Sequence, residues 1–518
     1  MTKLQAYGFG LSAALAVGLA ALTFGPAHAQ QPAGANRFEG TLSVVWGDPR
    51  PGQRGGTTRF SLTLADGTKH QLQLSTAQQN AAVTYFGKRV AVQGQLGDGQ
   101  NGVPRLAVDR IESIEPIEAA PTLRTKTRRV LYILLKFSGD TQEPHPPSFF
   151  DALTNPKRPP AGSNAVTTLN GFYDKTSWGQ LKWRGHVLGA EGLDSSTHWL
   201  TLPKTKAQYA PCGWQGVCAD LDGIQADGIA LAQNAGVDIS IYDNINFVLN
   251  NDLDCCAWGG GFFYNGKSYG ATWEPPWGQE AGTYVHEFGH SIGLPHSGWV
   301  YYAYDSPWDE MSSGSAAQYV QCASYMSAND GATDPVYCTE PGAGYIVAHK
   351  DVLRWIPSEN QVVIRKAKTQ TVTLEDNALP LGTGIKMIKV CLAGESCTGS
   401  DAHYLTVEAR ASNKPYERGV PGEGVIIHDF RANRGKIGTG DACFFNTQSG
   451  WAVPIDATPG DYRGDPNCDT GGRSWPNYGL GNAEFLPGDI YSDSALHVSI
   501  KVVKKSKSSY VVKVTRSQ

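Results

Sequence analysis

Residues 284–298 read "YVHEFGHSIGLPHSG" in a chain with only 12 His among 518 residues. The run from Ala281 to Ile292 has the pattern of a helix, because Ala281, Val285, Phe288 and Ile292 repeat at steps of four, three and four. That stripe faces a core, and His286 and His290 fall one turn apart on an adjacent face. Gly293 follows, a residue that accepts the positive φ with which a helix ends and reverses. Leu294-Pro295 then carries the chain out in extended form, since proline cannot continue a helix. His296 can thereby return to the two helical histidines.

Three neutral imidazoles around one ion leave a fourth tetrahedral position for water, the arrangement of a catalytic zinc. The expected metal set is therefore His286, His290 and His296, holding one Zn2+. Glu287, next to the first ligand, can reach a metal-activated water without binding the metal, so it is the expected general base. Peptide hydrolysis uses all of these parts. Calcium is conceivable, but no residue pattern supports it.

The stretch "HEFGHSIGLPH" resembles the extended zinc signature of the metzincin metallopeptidases. Downstream, "YAYDSPWDEMSS" resembles the Met-turn region of gametolysin-like and immune-inhibitor-A-like secreted proteases. Immune-inhibitor-like members carry Asp where this chain has His296, so the nearer resemblance is gametolysin-like. It implies that Met311 forms a hydrophobic floor beneath the zinc, with Gly293 as the supporting turn residue. Met326 in "ASYMSAN" is a second candidate for that floor. It further implies that Tyr269–Trp273 forms the rim of the substrate cleft. Ser313 stands where some metzincins place a tyrosine, leaving zinc itself or another residue such as Tyr304 to stabilise the oxyanion. "HKDVLRWI" also resembles these families, though Arg354 stands where glycine is usual.

Around this centre the chain divides. Residues 1–29 have the features of a signal peptide: Lys3, an apolar run from Leu11 to Leu22, and Ala27-His28-Ala29 before the cut. Export follows, to the extracellular space or periplasm, with no membrane attachment after signal removal. Residues 30–120 form a cysteine-free β segment: Phe60, Leu62 and Leu64 alternate, Asp66-Gly67 turns, and "KRVAVQGQL" and "PRLAVDRIESI" add strands. A small barrel of about five strands is expected, and the segment is a candidate propeptide. Without a cysteine it cannot block the zinc through a thiolate. Residues Glu115–Arg129 read as a linker, with Arg128-Arg129 as a candidate processing site. Residues 121–358 carry the catalytic domain, with "VLYILLKF" and "NINFVLNN" as buried strands and Asn265-Gly266 as a hairpin turn. Residues 359–518 alternate short strands in the manner of a β-sandwich. The fold class is α+β and multidomain.

The ten cysteines lie between Cys212 and Cys468. Their even number fits disulfides in an exported protein. Spacing suggests Cys212–Cys218, Cys322–Cys338, Cys391–Cys397 and Cys443–Cys468, with Cys255 and Cys256 left over. The net charge of −4 offers no basic field for nucleic acid. Protein or peptide substrates are the expected partners; oligomeric state has no signature. Two other readings exist. Gly289-His290-Ser291-Ile292-Gly293 matches the serine-hydrolase elbow with Ser291 as nucleophile. The other is a β-rich adhesin with an inactive protease domain; "RGD" at Arg463–Asp465 fits that idea but is common by chance and reads as loop.

Overall fold

The computed structural model describes residues 36–50, 56–100, 103–115, 126–158, 167–213, 216–298, 304–316, 318–326, 333–412, 416–435, 450–457 and 480–517. The signal-like residues, Cys443, Cys468 and Arg463–Asp465 lie outside them. Among the described residues no helix is long and apolar enough to cross a membrane.

Five strands close a small barrel at the start of the chain: β1 (Asn36–Pro49), β2 (Thr57–Leu64), β3 (Lys69–Gln73), β4 (Arg89–Gln100) and β5 (Val103–Ser113), with α1 (Thr76–Val83) between the third and fourth. Closure runs through β1, which pairs with both β4 and β2. Leu42, Val44 and Trp46 alternate inward with Phe60, Leu62, Val90, Val92 and Leu106, and all are buried. α1 carries a capping box between Ser75 and Gln78, which satisfies its first backbone donors.

The middle region begins with β6 (Lys126–Lys136), α2 (Pro147–Thr154), α3 (Leu169–Thr176), β7 (Leu181–Gly189), β8 (Gly192–Leu193) and β9 (Leu200–Thr201). It continues with α4 (Lys206–Tyr209), α5 (Leu221–Asn234), β10 (Asn244–Leu249), β11 (Cys256–Tyr264), β12 (Lys267–Glu274) and α6 (Ala281–Ser291). Its strands belong with β1 to β5 to one 12-stranded sheet; their part runs β8-β7-β6-β10-β12-β11, with β9 on β6 and β1 next to β11. Successive residues of β6 pack on opposite faces: Leu131, Ile133 and Leu135 meet α5, whereas Val130, Tyr132 and Leu134 meet α2, α3 and α6. Sheet faces covered by helices on both sides account for the uninterrupted apolar runs of β6 and β10. Asn265 and Gly266 both take positive φ in the turn joining β11 to β12.

Two expectations are corrected here. The cleft rim cannot be Tyr269–Trp273, because β12 lies between β10 and β11 and is paired to both. Nor are Arg128-Arg129 a linker or an accessible cleavage site. They lie within β6, opposite Trp183 and Arg184 of β7, and Arg128 bonds Asn244 Oδ1 at 2.7 Å. A backbone held in a ladder is not free to enter a protease.

A hairpin of β13 (Gln318–Met326) and β14 (Thr333–Glu340) and helix α7 (Val347–Val352) lead to the last region. There β15 (Gln361–Ile364), β17 (Met387–Cys391), β18 (His403–Arg410), β19 (Gly424–Arg431) and β20 (Ala452–Pro454) form one sheet. The second sheet holds β16 (Lys368–Glu375), β21 (Ile490–Asp493), β22 (Val498–Ser506) and β23 (Ser509–Arg516). Val390, Leu405, Val407 and Ile427 of the first interlock with Val372, Ile500, Val512 and Val514 of the second, which makes a sandwich. Disulfides join Cys212 to Cys218 and Cys391 to Cys397, as expected, and the vicinal Cys255 and Cys256 to each other. Cys338 lies opposite Val320 in the hairpin ladder, and Cys322 falls at the register shift between Gln321 and Ala323.

Candidate metal centre

Every residue of α6 is buried, because the helix lies between the sheet and the segment around Met311. Its apolar stripe fixes the rotation that presents His286 and His290 to one side. The helix ends as the sequence requires. Gly293 has φ +96, its N–H bonds His290 O at 2.9 Å, and the Leu294 N–H bonds Gly289 O at 3.0 Å. These two bonds make a Schellman turn, and buried Leu294 locks it. The turn returns His296 to the helix, with His290 Nε2 and His296 Nε2 3.2 Å apart.

On the two helical histidines the other ring nitrogen is anchored. His286 Nδ1 lies 2.8 Å from Glu310 O, and His290 Nδ1 lies 2.7 Å from Leu294 O. A carbonyl only accepts, so each Nδ1 carries the proton and each Nε2 turns a lone pair toward the centre. Burial lowers the His290 pKa to about 3, whereas at His286 burial is outweighed by the hydrogen bond and charge of Asp48, which raise it.

A fourth group enters from the barrel. Asp48, near the end of β1, places Oδ1 2.8 Å from His296 Nε2 and Oδ2 3.1 Å from His290 Nε2 and 3.5 Å from His286 Nε2. The Tyr304 hydroxyl donates to Asp48 Oδ1. All four ligand atoms lie within 4.8 Å of one another. A tetrahedral site with bonds of about 2.0–2.1 Å has edges of about 3.3 Å, and the measured separations straddle that value. Charge points the same way. Burial opposes ionisation of Asp48, yet His296, His286 and His290 hold it well below the usual carboxylate range. This donor set can hold a metal ion.

Glu287 lies at the heart of the protein, fully buried, and neither carboxylate oxygen has a hydrogen-bond partner. Burial first, then the charges of Asp48 and Glu274, push its carboxyl well above the ordinary range. Gly259 of β11 makes room for it, since a Cβ there would stand 2.5 Å from Glu287 Oε2. Met311 packs under the helix, where a Cβ at Gly289 would meet its sulfur at 2.3 Å. Met311 thus forms a floor under α6, and Met326 falls at the end of β13.

Beneath this floor, Asp309 accepts from Ser297 Oγ at 2.6 Å and lies 2.9 Å from His349 Nδ1 of α7. Arg354 has φ +58, so the backbone there takes the conformation for which glycine is usual. Ser291 does not suit a nucleophile. It ends a helix instead of following a strand, and its hydroxyl donates back to Phe288 O at 2.8 Å. A second acidic group, Asp254 with Cys255 and Cys256, is no metal site, because both cysteines are oxidised and Asp254 already accepts from Ala219 N and Trp258 Nε1.

Sequence reasoning did not reveal Asp48 or Gly259. Asp48 belongs to a strand remote in sequence, and only the fold brings it to the histidines. Tyr304, offered from the sequence as an example of an oxyanion donor, has its hydroxyl on Asp48. No protein-family model matches the chain, and no curated protein is similar to it.

Proposed function

We propose that this chain is a secreted zinc endopeptidase of metzincin type, with His286, His290 and His296 as ligands and Glu287 as general base. The observation that carries the reading is the convergence of three imidazoles, those of His286 and His290 anchored at Nδ1, beside a buried carboxylate with no hydrogen-bond partner. Zinc, when bound there, supplies a Lewis acid and lowers the pKa of a water from about 16 to about 7.

The chain's own residues supply the rest. Glu287 has a raised proton affinity, so it can take a proton from the attacking water and return it to the leaving amine nitrogen. Gly259 keeps that carboxylate close to the sheet edge. The Tyr304 hydroxyl, a donor to Asp48 in this structure, can donate instead to the carbonyl oxygen of a substrate in the carboxylate's place. Export is supported by the signal-like N-terminus and by three disulfides.

Glu287→Gln tests the role of the base. Mature protein is expected to cut a peptide library, and the variant to lose at least about 10³ in kcat while keeping one zinc per chain. Peptide cleavage by the variant at the original rate would refute the assignment.

A further inference from the structure

β11 is the last strand that the middle region adds to the sheet carrying α6, and its other edge is occupied by β1. The two run antiparallel in register from Val45 opposite Gly260 to Pro49 opposite Cys256, with Asp48 opposite Ala257. The surfaces are cut to each other. A Cβ at Gly260 would stand 2.2 Å from Val44 O, and one at Gly47 would stand 2.6 Å from the Trp258 ring. Trp46 stacks on His290, with centroids 4.6 Å apart and planes 9° apart.

We propose that β1 is a resident inhibitory strand, in which Asp48 is the fourth ligand to the metal and Val45–Pro49 occupy the place of an extended peptide substrate. The inference rests on the peptidase reading of the same site. A catalytic zinc keeps one position open, whereas four protein ligands make a closed site. Asp48 closes this one, its carboxylate standing where water or a scissile carbonyl must bind. The β1–β11 ladder also uses the backbone groups that would hold an extended peptide by strand addition. The form described here is therefore latent, and activity requires β1 to leave the edge. The barrel needs no cysteine for this task, because a carboxylate supplies the ligand.

The test uses the full chain with cobalt in place of zinc, and acetohydroxamate as a probe of the open position. In the wild type the cobalt absorption should not respond to acetohydroxamate. In Asp48→Ala the spectrum should change and then respond to the probe, chelator competition should show zinc held at least tenfold more weakly, and cleavage of a quenched peptide should rise at least tenfold. Asp48→Asn keeps the shape and serves the same comparison where the alanine variant does not fold. A wild-type spectrum that responds to acetohydroxamate as readily as the variant's overturns the proposal. A response confined to the variants without peptide cleavage by any form sustains the inhibitory strand and refutes the peptidase reading instead.

Discussion

A Cβ at Gly259 would collide with Glu287, and one at Gly289 would collide with Met311. Both glycines are sites of close approach that position a functional side chain, and neither is marked as such by its neighbours in sequence. The ligands themselves were legible because their relation is local: the spacing of His286, Glu287, His290 and Gly293 is helix geometry written in the chain. Tyr304 was legible only as an example of an oxyanion donor, and the fold sets its hydroxyl against Asp48. Its role yields a prediction. Tyr304→Phe should lower kcat of the activated enzyme roughly 10²-fold and leave KM within about threefold, because an oxyanion donor acts in the transition state. Steady-state kinetics after removal of the barrel segment would read this, and an unchanged kcat would remove Tyr304 from the mechanism.

At the scale of elements, alternation and turn chemistry foretold the strands of the barrel after Thr57, the hairpin at Asn265-Gly266 and the strands of the sandwich. They did not foretell strand order. Which member of the β11–β12 hairpin lies outermost depends on pairing with β10, and that is a non-local property. The partner of the outer edge depends on a strand whose Asp48 meets a histidine 242 positions away. The Schellman turn after α6 is the element on which His296 depends, so Gly293→Ala should be costly. Holding alanine at φ +96 costs about 1–2 kcal/mol, and its Cβ would lie 3.3 Å from Phe86. The expected results are a lower urea midpoint and weaker zinc binding in chelator competition. Zinc affinity equal to that of the wild type would show that the turn does not set the third ligand.

Over the whole molecule, the sandwich braces the floor of the metal centre. Arg410 of β18, fully buried, bonds Trp308 O at 2.6 Å and Glu417 Oε2 through Nε at 3.0 Å, and Asn377 links Lys350 of α7 to Glu408. The barrel is tied to the same sandwich, since Trp451 donates to Asn80 O and Asn80 to Arg434 O. Composition gave no hint of this joining of three regions, because long-range polar contacts leave no periodic trace. The buried polar network also sets a pH dependence. His428 of β19 has no hydrogen-bond partner at either ring nitrogen, and burial lowers its pKa from 6.5 to about 3. Between those values the unfolded chain holds the extra proton, so His428 makes stability fall as pH drops from 6.5 toward 3 and adds no slope above 6.5. In His428→Gln that slope should flatten by up to about 1.4 kcal/mol per pH unit, read from urea midpoints between pH 6.5 and 4. Parallel profiles for the two proteins would contradict the assignment.

The convergence of His286, His290, His296 and Asp48 on one ion is open to direct measurement by zinc-edge X-ray absorption on the full chain. Three nitrogen scatterers and one oxygen at about 2.0–2.2 Å, with the oxygen retained in Glu287→Gln and its shell altered in Asp48→Ala, is the predicted result. A sulfur shell near 2.3 Å, or a coordination sphere indifferent to Asp48 and to the three histidines, would contradict it.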